Sequence, residues 1–222
     1  MAGSRILVVG TGPMGVATAR AAQDAGAEVF LSSRSQERLD KALARLPEVH
    51  GLIADPEDHQ QADLLVRQAG PLDHIAALAG GAPSLARGIA DTPVHVAQRS
   101  FARFWLSYNL LQASIGTVRE GGSVTLLSGA SASRPSGGRG FWGSLHGAIE
   151  ALGRNAAYEL APLRVNTVSP GGINVVPMNW QLLPHAGMAE DVASMVLAVM
   201  ANPAVTGTVI DVDGGEFLGT FE

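Results

Sequence analysis

The stretch Arg5-Ile6-Leu7-Val8-Val9-Gly10-Thr11-Gly12-Pro13-Met14-Gly15 decides the fold. An aliphatic run ends in a turn with glycines spaced G-x-G-x-x-G, and small residues at helical spacing follow as far as Gly26. That order reads as strand, tight turn and helix. The chemistry explains the glycines: a pyrophosphate must approach the backbone closely, and the helix N-terminus offers it free amide donors. A tight strand-to-helix turn without a ligand would use the same residues.

The pattern repeats outward from this unit. Strands are expected at Arg5–Val9, Glu28–Ser32, His50–Ile53, His74–Leu78, Ser123–Leu127, Arg164–Val168 and Thr208–Val212. Helices are expected at Met14–Ala25, Gln36–Leu46, Glu57–Gln68, Val94–Thr117, Gly143–Leu160 and Ala189–Met200. About seven apolar strands alternating with helices imply an α/β fold with a doubly wound parallel sheet of the Rossmann type. Ligands in such folds bind beyond the carboxyl ends of the strands. No Pro/Ser- or charge-rich linker interrupts residues 1–222, so one domain is expected.

Composition narrows the partners. Of 222 residues, 46% are hydrophobic and only 16% charged, the reverse of a disordered chain. There is no cysteine, which excludes disulfides and thiolate metal sites and fits a reducing, cytoplasmic setting. No metal site is expected. A net charge of −5 without a basic run argues against nucleic acid. The apolar stretch Val192–Ala201 is far short of the ~20 residues that span a bilayer, so no membrane partner is expected. The first ten residues run straight into a strand and do not read as a secretory leader.

The second strand ends Ser32-Ser33-Arg34-Ser35, with no acid to bind a ribose 2′-hydroxyl. Ser33 and Arg34 suit a 2′-phosphate, so NADP(H) is read over NAD(H); a solvated Arg34 is the plainer alternative. Asp55, after the third strand, suits an adenine amino group or the cap of a helix beginning at Pro56.

At this point the chain resembles the short-chain dehydrogenase/reductase family over nearly its whole length. The likeness rests on Asp55 after strand three and Ala79-Gly80 after strand four. It rests also on Glu159-Leu160-Ala161-Pro162 before Arg164-Val165-Asn166-Thr167-Val168-Ser169-Pro170-Gly171, and on Thr206-Gly207 with Asp211-Val212-Asp213-Gly214-Gly215. It implies a dinucleotide held by Gly10, Thr11, Gly12, Met14, Gly15, Ser33, Arg34, Asp55, Ala79, Gly80, Pro170, Gly171 and Ile173. It also implies a catalytic tetrad of Asn, Ser, Tyr and Lys, and none of the four is where the family pattern puts it. Gly147-Ala148-Ile149-Glu150-Ala151-Leu152 aligns the helix, which places His146 at the lysine position and Trp142 at the tyrosine position. Counting back about 13 residues gives Gly129 at the serine position, beside Ser128 and Ser131. The asparagine position falls near Arg103, and Asn109 lies too far along.

Composition excludes a simple shift. The single lysine, Lys41, belongs to the second helix. Of the two tyrosines, Tyr158 lies sixteen residues beyond Trp142, roughly 24 Å along a helix. Tyr108 alone is near enough to approach the cleft. Trp142 cannot titrate usefully, but it can stack or fill space. His146, with an ordinary pKa near 6.5, suits a ribose contact or proton transfer. Arg103 suits a carboxylate or an enolate, or a merely structural place. Ser128 and Ser131 can supply hydroxyls.

Access differs too. Only about 17 residues separate Pro170-Gly171 from the helix at Ala189, and Val175 stands where the family has a threonine. The cleft is expected to be open or closed by a partner subunit. The aromatic helix carrying Phe101, Phe104, Trp105 and Tyr108, and the tail with Phe217, Leu218 and Phe221, suit a homodimer or homotetramer. Three readings of function stay open. The first is an NADP(H)-dependent oxidoreductase with Trp142, His146, Ser128 and Arg103 in a rebuilt site, reducing an imine, activated enone or carbonyl. The second is a non-redox isomerase, cyclase or lyase. The third is an inactive NADP(H)-binding regulator or partner protein.

Overall fold

Residues 6–9 of β1 (Arg5–Val9) are buried completely, because the strand is flanked on both sides and covered on both faces. In the computed structural model, which describes residues 1–79, 88–135, 137–173, 181–216 and 218, β1 lies inside a seven-stranded sheet. The order is β3-β2-β1-β4-β5-β6-β7 and every pairing is parallel. The other strands are β2 (Glu28–Ser33), β3 (His50–Ile53), β4 (Leu72–Ala77), β5 (Val118–Leu127), β6 (Arg164–Pro170) and β7 (Val209–Val212). The order reverses between β1 and β4. That opens a crevice at their carboxyl ends, the expected ligand position in a doubly wound sheet.

Two apolar clusters sandwich the sheet. On one face α3 (His59–Ala69), α5 (Ala102–Ser114) and α6 (Gly140–Glu159) pack through residues such as Leu65, Leu110 and Ile149. On the other, α1 (Pro13–Asp24), α2 (Gln36–Leu43) and α7 (Ala189–Ala201) pack through Ala19, Leu39 and Val196. Among the described residues no helix is long and apolar enough to cross a membrane.

Four expectations need correction. The single helix over Val94–Thr117 is two, α4 (Val94–Ser100) and α5. At the junction Phe101 keeps helical dihedrals, but the Phe104 amide donates to the Phe101 carbonyl, tightening the ladder by one residue. The Phe101 ring lies against Phe104 and Phe141 of α6, a tertiary contact that the local pattern does not encode. The helix then stops at Ser114, with Gly116 at a positive φ of 73°. Strand β5 begins at Val118 rather than Ser123 and runs through Gly121-Gly122. Its register shifts between Leu72 and His74, and a Cβ on Gly122 would run into the Asp73 carbonyl. Helix α3 begins at His59 and is capped by Asp58, whose carboxylate accepts from the Gln60 and Gln61 amides. Asp55 instead accepts from the Glu57 amide and caps no helix. Helix α6 starts at Gly140, three residues before the expected Gly143.

Arg164, the first residue of β6, ties the amino-terminal edge of the sheet to the end of α7. Its guanidinium donates to the carbonyls of Gly121, Val199, Met200, Asn202 and Val205. Val199 and Met200 belong to the last turn of α7, where carbonyls lack intrahelical partners and a cation is favourable.

Candidate functional site

The crevice is lined by Gly10, Thr11, Gly12, Met14, Gly15, Ser33, Arg34, Asp55, Ala79 and Arg103, within a connected cavity of about 1560 Å³. The three motif glycines have different reasons to lack side chains. Gly10 has φ +119°, and a Cβ there would sit 2.7 Å from the Ala79 backbone. A Cβ on Gly15 would collide with the Gly10 carbonyl, so this glycine lets α1 close on β1. Gly12 has no such need: its φ is −71°, and a Cβ would meet nothing within 4 Å. It caps α1, whose first amides receive no side-chain cap, and Pro13 follows at the first helical position. The open space over Gly12 and the free amides form a cradle that suits a phosphate.

At the far end of β2, Ser33 Oγ accepts from Thr11 Oγ1 at 3.2 Å and from the Ser35 amide at 3.2 Å. Arg34 is exposed, 3.1 Å from Glu57 Oε1 and 3.9 Å from Asp55 Oδ2. Asn109, too far along the sequence for the asparagine position, has another place: its amide donates to the Pro56 and Glu57 carbonyls. Ser32 lines the cavity with a buried hydroxyl that has no hydrogen-bond partner among the described residues. Gly80 and Val175 lie outside the described residues, as do Phe217 and Phe221.

The altered centre forms one connected cluster. Arg103 NH2 donates to the Leu127 carbonyl at 2.9 Å and to that of Ser128 at 3.4 Å, at the carboxyl end of β5. Its NH1 lies 3.4 Å from His146 Nε2, and His146 Nδ1 lies 2.8 Å from Ser131 Oγ. Arginine has donors only, so Nε2 must be the acceptor and the imidazole proton sits on Nδ1. Burial, with Arg103 and Arg139 nearby, pushes the His146 pKa down to about 3. The ring, shifted well below the ordinary value near 6.5, is neutral across the physiological range. Burial alone lowers Arg103 to about 10, which leaves it cationic.

Gly129 and His146 fit one another. A Cβ on Gly129 would lie 2.7 Å from His146 Cε1, so the imidazole occupies the room a side chain there would need. The Trp142 ring lies over His146 with centroids 5.9 Å apart. Gly143 lets α6 approach the Ser131 carbonyl, where a Cβ would sit 2.6 Å away. Ser128 does not present its hydroxyl: it is 2% exposed and donates to Glu150 Oε1 at 3.0 Å. Of the two serines, Ser131 is the half-buried one. Tyr108 does not line the cavity; it sits against Trp105 and Gln112. Tyr158 is 87% exposed. Lys41 and Arg38 line the cavity from α2, with Arg45 just beyond it.

One contact was not anticipated. Glu216 is buried, 3.4 Å from Arg139, and accepts from the Gly172 amide at 3.3 Å. It holds the chain just after Pro170 and Gly171, and a Cβ on Gly171 would lie 2.8 Å from its carboxylate. Its only sequence signal is its place directly after Asp213-Gly214-Gly215. Ile173 forms an isolated bridge with Gly187. Among the described residues no cluster of acids and histidines could hold a metal.

Comparisons with known proteins fit this geometry. A family model described as enoyl-(acyl carrier protein) reductase matches residues 11–216. The chain is 31% identical to L-xylulose reductase of Mus musculus over an alignment of 246 positions, covering 99% of this chain and 98% of that protein. It is 30% identical to the short-chain dehydrogenase/reductase ATR9 of Stachybotrys chlorohalonatus, covering 97% and 98%. The structure of the MalC reductase/Diels-Alderase from Malbranchea aurantiaca superposes with a TM-score of 0.89 at 25% identity, covering 98% of this chain and 97% of that one. With the parallel sheet, the glycine turn and these full-length matches, the chain belongs to the short-chain dehydrogenase/reductase family of oxidoreductases.

Proposed function

We propose that this protein is an NADP(H)-dependent reductase of a carbonyl, imine or activated enone, working without a tyrosine–lysine pair. One observation carries the reading: Gly12 lacks a side chain for no reason internal to the fold, at the uncapped N-terminus of α1. Gly10, Thr11, Met14 and Gly15 would complete the pyrophosphate cradle. Ser33 and Arg34 would take the 2′-phosphate and Asp55 the adenine, with Ala79, Pro170, Gly171 and Ile173 around the ring end. The Arg34 pair with Glu57 is solvent-exposed, so exchanging it for a phosphate costs little. The likeness to a named reductase agrees with this reading.

The bound dinucleotide supplies the hydride. The chain's own part is orientation and one hydrogen bond. Because His146 Nδ1–H donates to Ser131 Oγ, the Ser131 proton is left free for a substrate oxygen or nitrogen. His146 acts as a positioning residue, fixed by Arg103, and Trp142 packs its outer side. Overall, RR′C=O, NADPH and a proton give RR′CHOH and NADP+. A non-redox reaction using His146 as acid or base loses support from its low pKa. We further propose pairing of two copies through the exposed Trp105 and Tyr108 face of α5.

The test is NADPH absorbance with a panel of ketones, cyclic imines and enones, beside calorimetry with NADPH and NADH. Consumption of NADPH, and tighter binding of NADPH than NADH, are expected. Failure to bind either dinucleotide, or turnover that consumes none, would overturn the proposal.

A further inference from the structure

Several cations line the cavity without an ion pair among the described residues, and Arg103 is the half-buried one nearest the altered centre. Arg99 of α4 and Arg103 of α5 are four residues apart, and the junction at Phe101 keeps helical dihedrals, so both lie on one wall of the cleft. Neither makes an ion pair among the described residues. Of the cavity acids Asp24, Asp55, Glu57 and Glu190, Asp55 and Glu57 lie beside Arg34, and none forms an ion pair with Arg99 or Arg103 among the described residues. Arg103 is held by two backbone carbonyls and a neutral imidazole, contacts that fix the guanidinium without neutralising it. A half-buried cation is costly to keep unpaired, and a planar guanidinium matches a carboxylate through two parallel hydrogen bonds.

We infer that the substrate carries a carboxylate, bound by Arg103 with Arg99 behind it. The substrate class is then an oxo acid or imino acid. Resting on the reductase reading above, the reaction takes an oxo acid, NADPH and a proton to a hydroxy acid and NADP+. Arg103 also lies at the end of β5, in hydrogen-bonding range of His146, which in turn bonds Ser131. One end of a short oxo acid on Arg103 therefore brings its carbonyl toward the Ser131 hydroxyl.

The experiment has two arms. The first compares 2-, 3- and 4-oxo acids with their methyl esters by NADPH consumption. Acids are expected to exceed esters at least tenfold in kcat/KM, and Arg103→Met to remove that preference. Arg99→Met, at an exposed side chain, should lower it several-fold with unchanged thermal melting, which keeps the test valid should Arg103→Met fail to fold. The second arm titrates the same compounds into the protein holding NADP+ and reads binding by calorimetry. Acids binding without any NADPH consumption would support the anion site and overturn the reductase reading. Equal use or equal binding of acids and esters would overturn the anion site and leave the reductase reading standing. An acid preference that survives both substitutions would also overturn it.

Discussion

The two ends of the crevice are built by different rules. At the β1–β2 end the site is made of backbone: free amides, an open space over Gly12, and glycines whose absent side chains let elements meet. At the β5–α6 end it is made of side chains that hold each other, Arg103 to His146 to Ser131, with Gly129 hollowed out for the imidazole. A backbone site tolerates few substitutions, because a side chain at Gly10 or Gly15 would strike the backbone and one at Gly12 would fill the cradle. A side-chain site can be rebuilt wholesale provided its members change together. This contrast accounts for a complete glycine turn beside a centre with no tyrosine or lysine.

Substitutions can break that contrast at either end. Gly12→Asp should give the largest effect: a carboxylate in the cradle opposes phosphate, so NADPH affinity should fall about 100-fold, near 2.7 kcal/mol. Melting should not change, because the fold needs no glycine there; a collapse in melting temperature would show that Gly12 is structural after all. Gly129→Ser should destabilise by about 1–3 kcal/mol through overpacking against His146. The cost should largely vanish in the Gly129→Ser, His146→Ala double variant, and a double-mutant cycle that simply adds would refute the fit.

The histidines predict a pH response. Both His146 and His74 are held neutral by burial, at about 3 and about 4. Above pH 6.5 they are neutral folded and unfolded alike, and their contribution is complete. Below it the unfolded chain takes up protons that the native state refuses. Stability should therefore fall between pH 6.5 and 4, by up to about 1.4 kcal/mol per pH unit for each histidine. Denaturant unfolding at pH 7.5 and 5 measures this. Over pH 6–8, kcat/KM should show no inflection from His146, and a limb near 6.5 that disappears in His146→Ala would contradict its neutral positioning role. The smallest effect is at the adenosine end. Arg34→Ala should reduce the preference for NADPH over NADH about tenfold while changing stability by less than about 0.5 kcal/mol, since its ion pairs are exposed.

Much of this was written in local sequence. The apolar run into Gly10 and the glycine spacing specify β1, the turn and α1 without help from distant residues. Where the sequence misleads, a tertiary partner decides. Nothing local in Val94–Thr117 marks a joint at Phe101, which is defined by Phe141 some forty residues later. Gly121-Gly122 looks like a breaker, yet it sits in a strand because Asp73 comes close from β4. The choice between Ser128 and Ser131 was equally hidden. It depends on Glu150 and His146 projecting from α6 onto either side of the β5 end.

Arg164 has a consequence for motion. A single guanidinium fastens five carbonyls from β5, the end of α7 and the loop after it, while its own backbone pairs inside β6. These segments share one fastening and cannot loosen independently. Amide protons of β6 and the last turn of α7 should therefore exchange with solvent in step, as one cooperative opening unit. Pro170 ends the same strand, so the crevice rim that carries it rests on that unit.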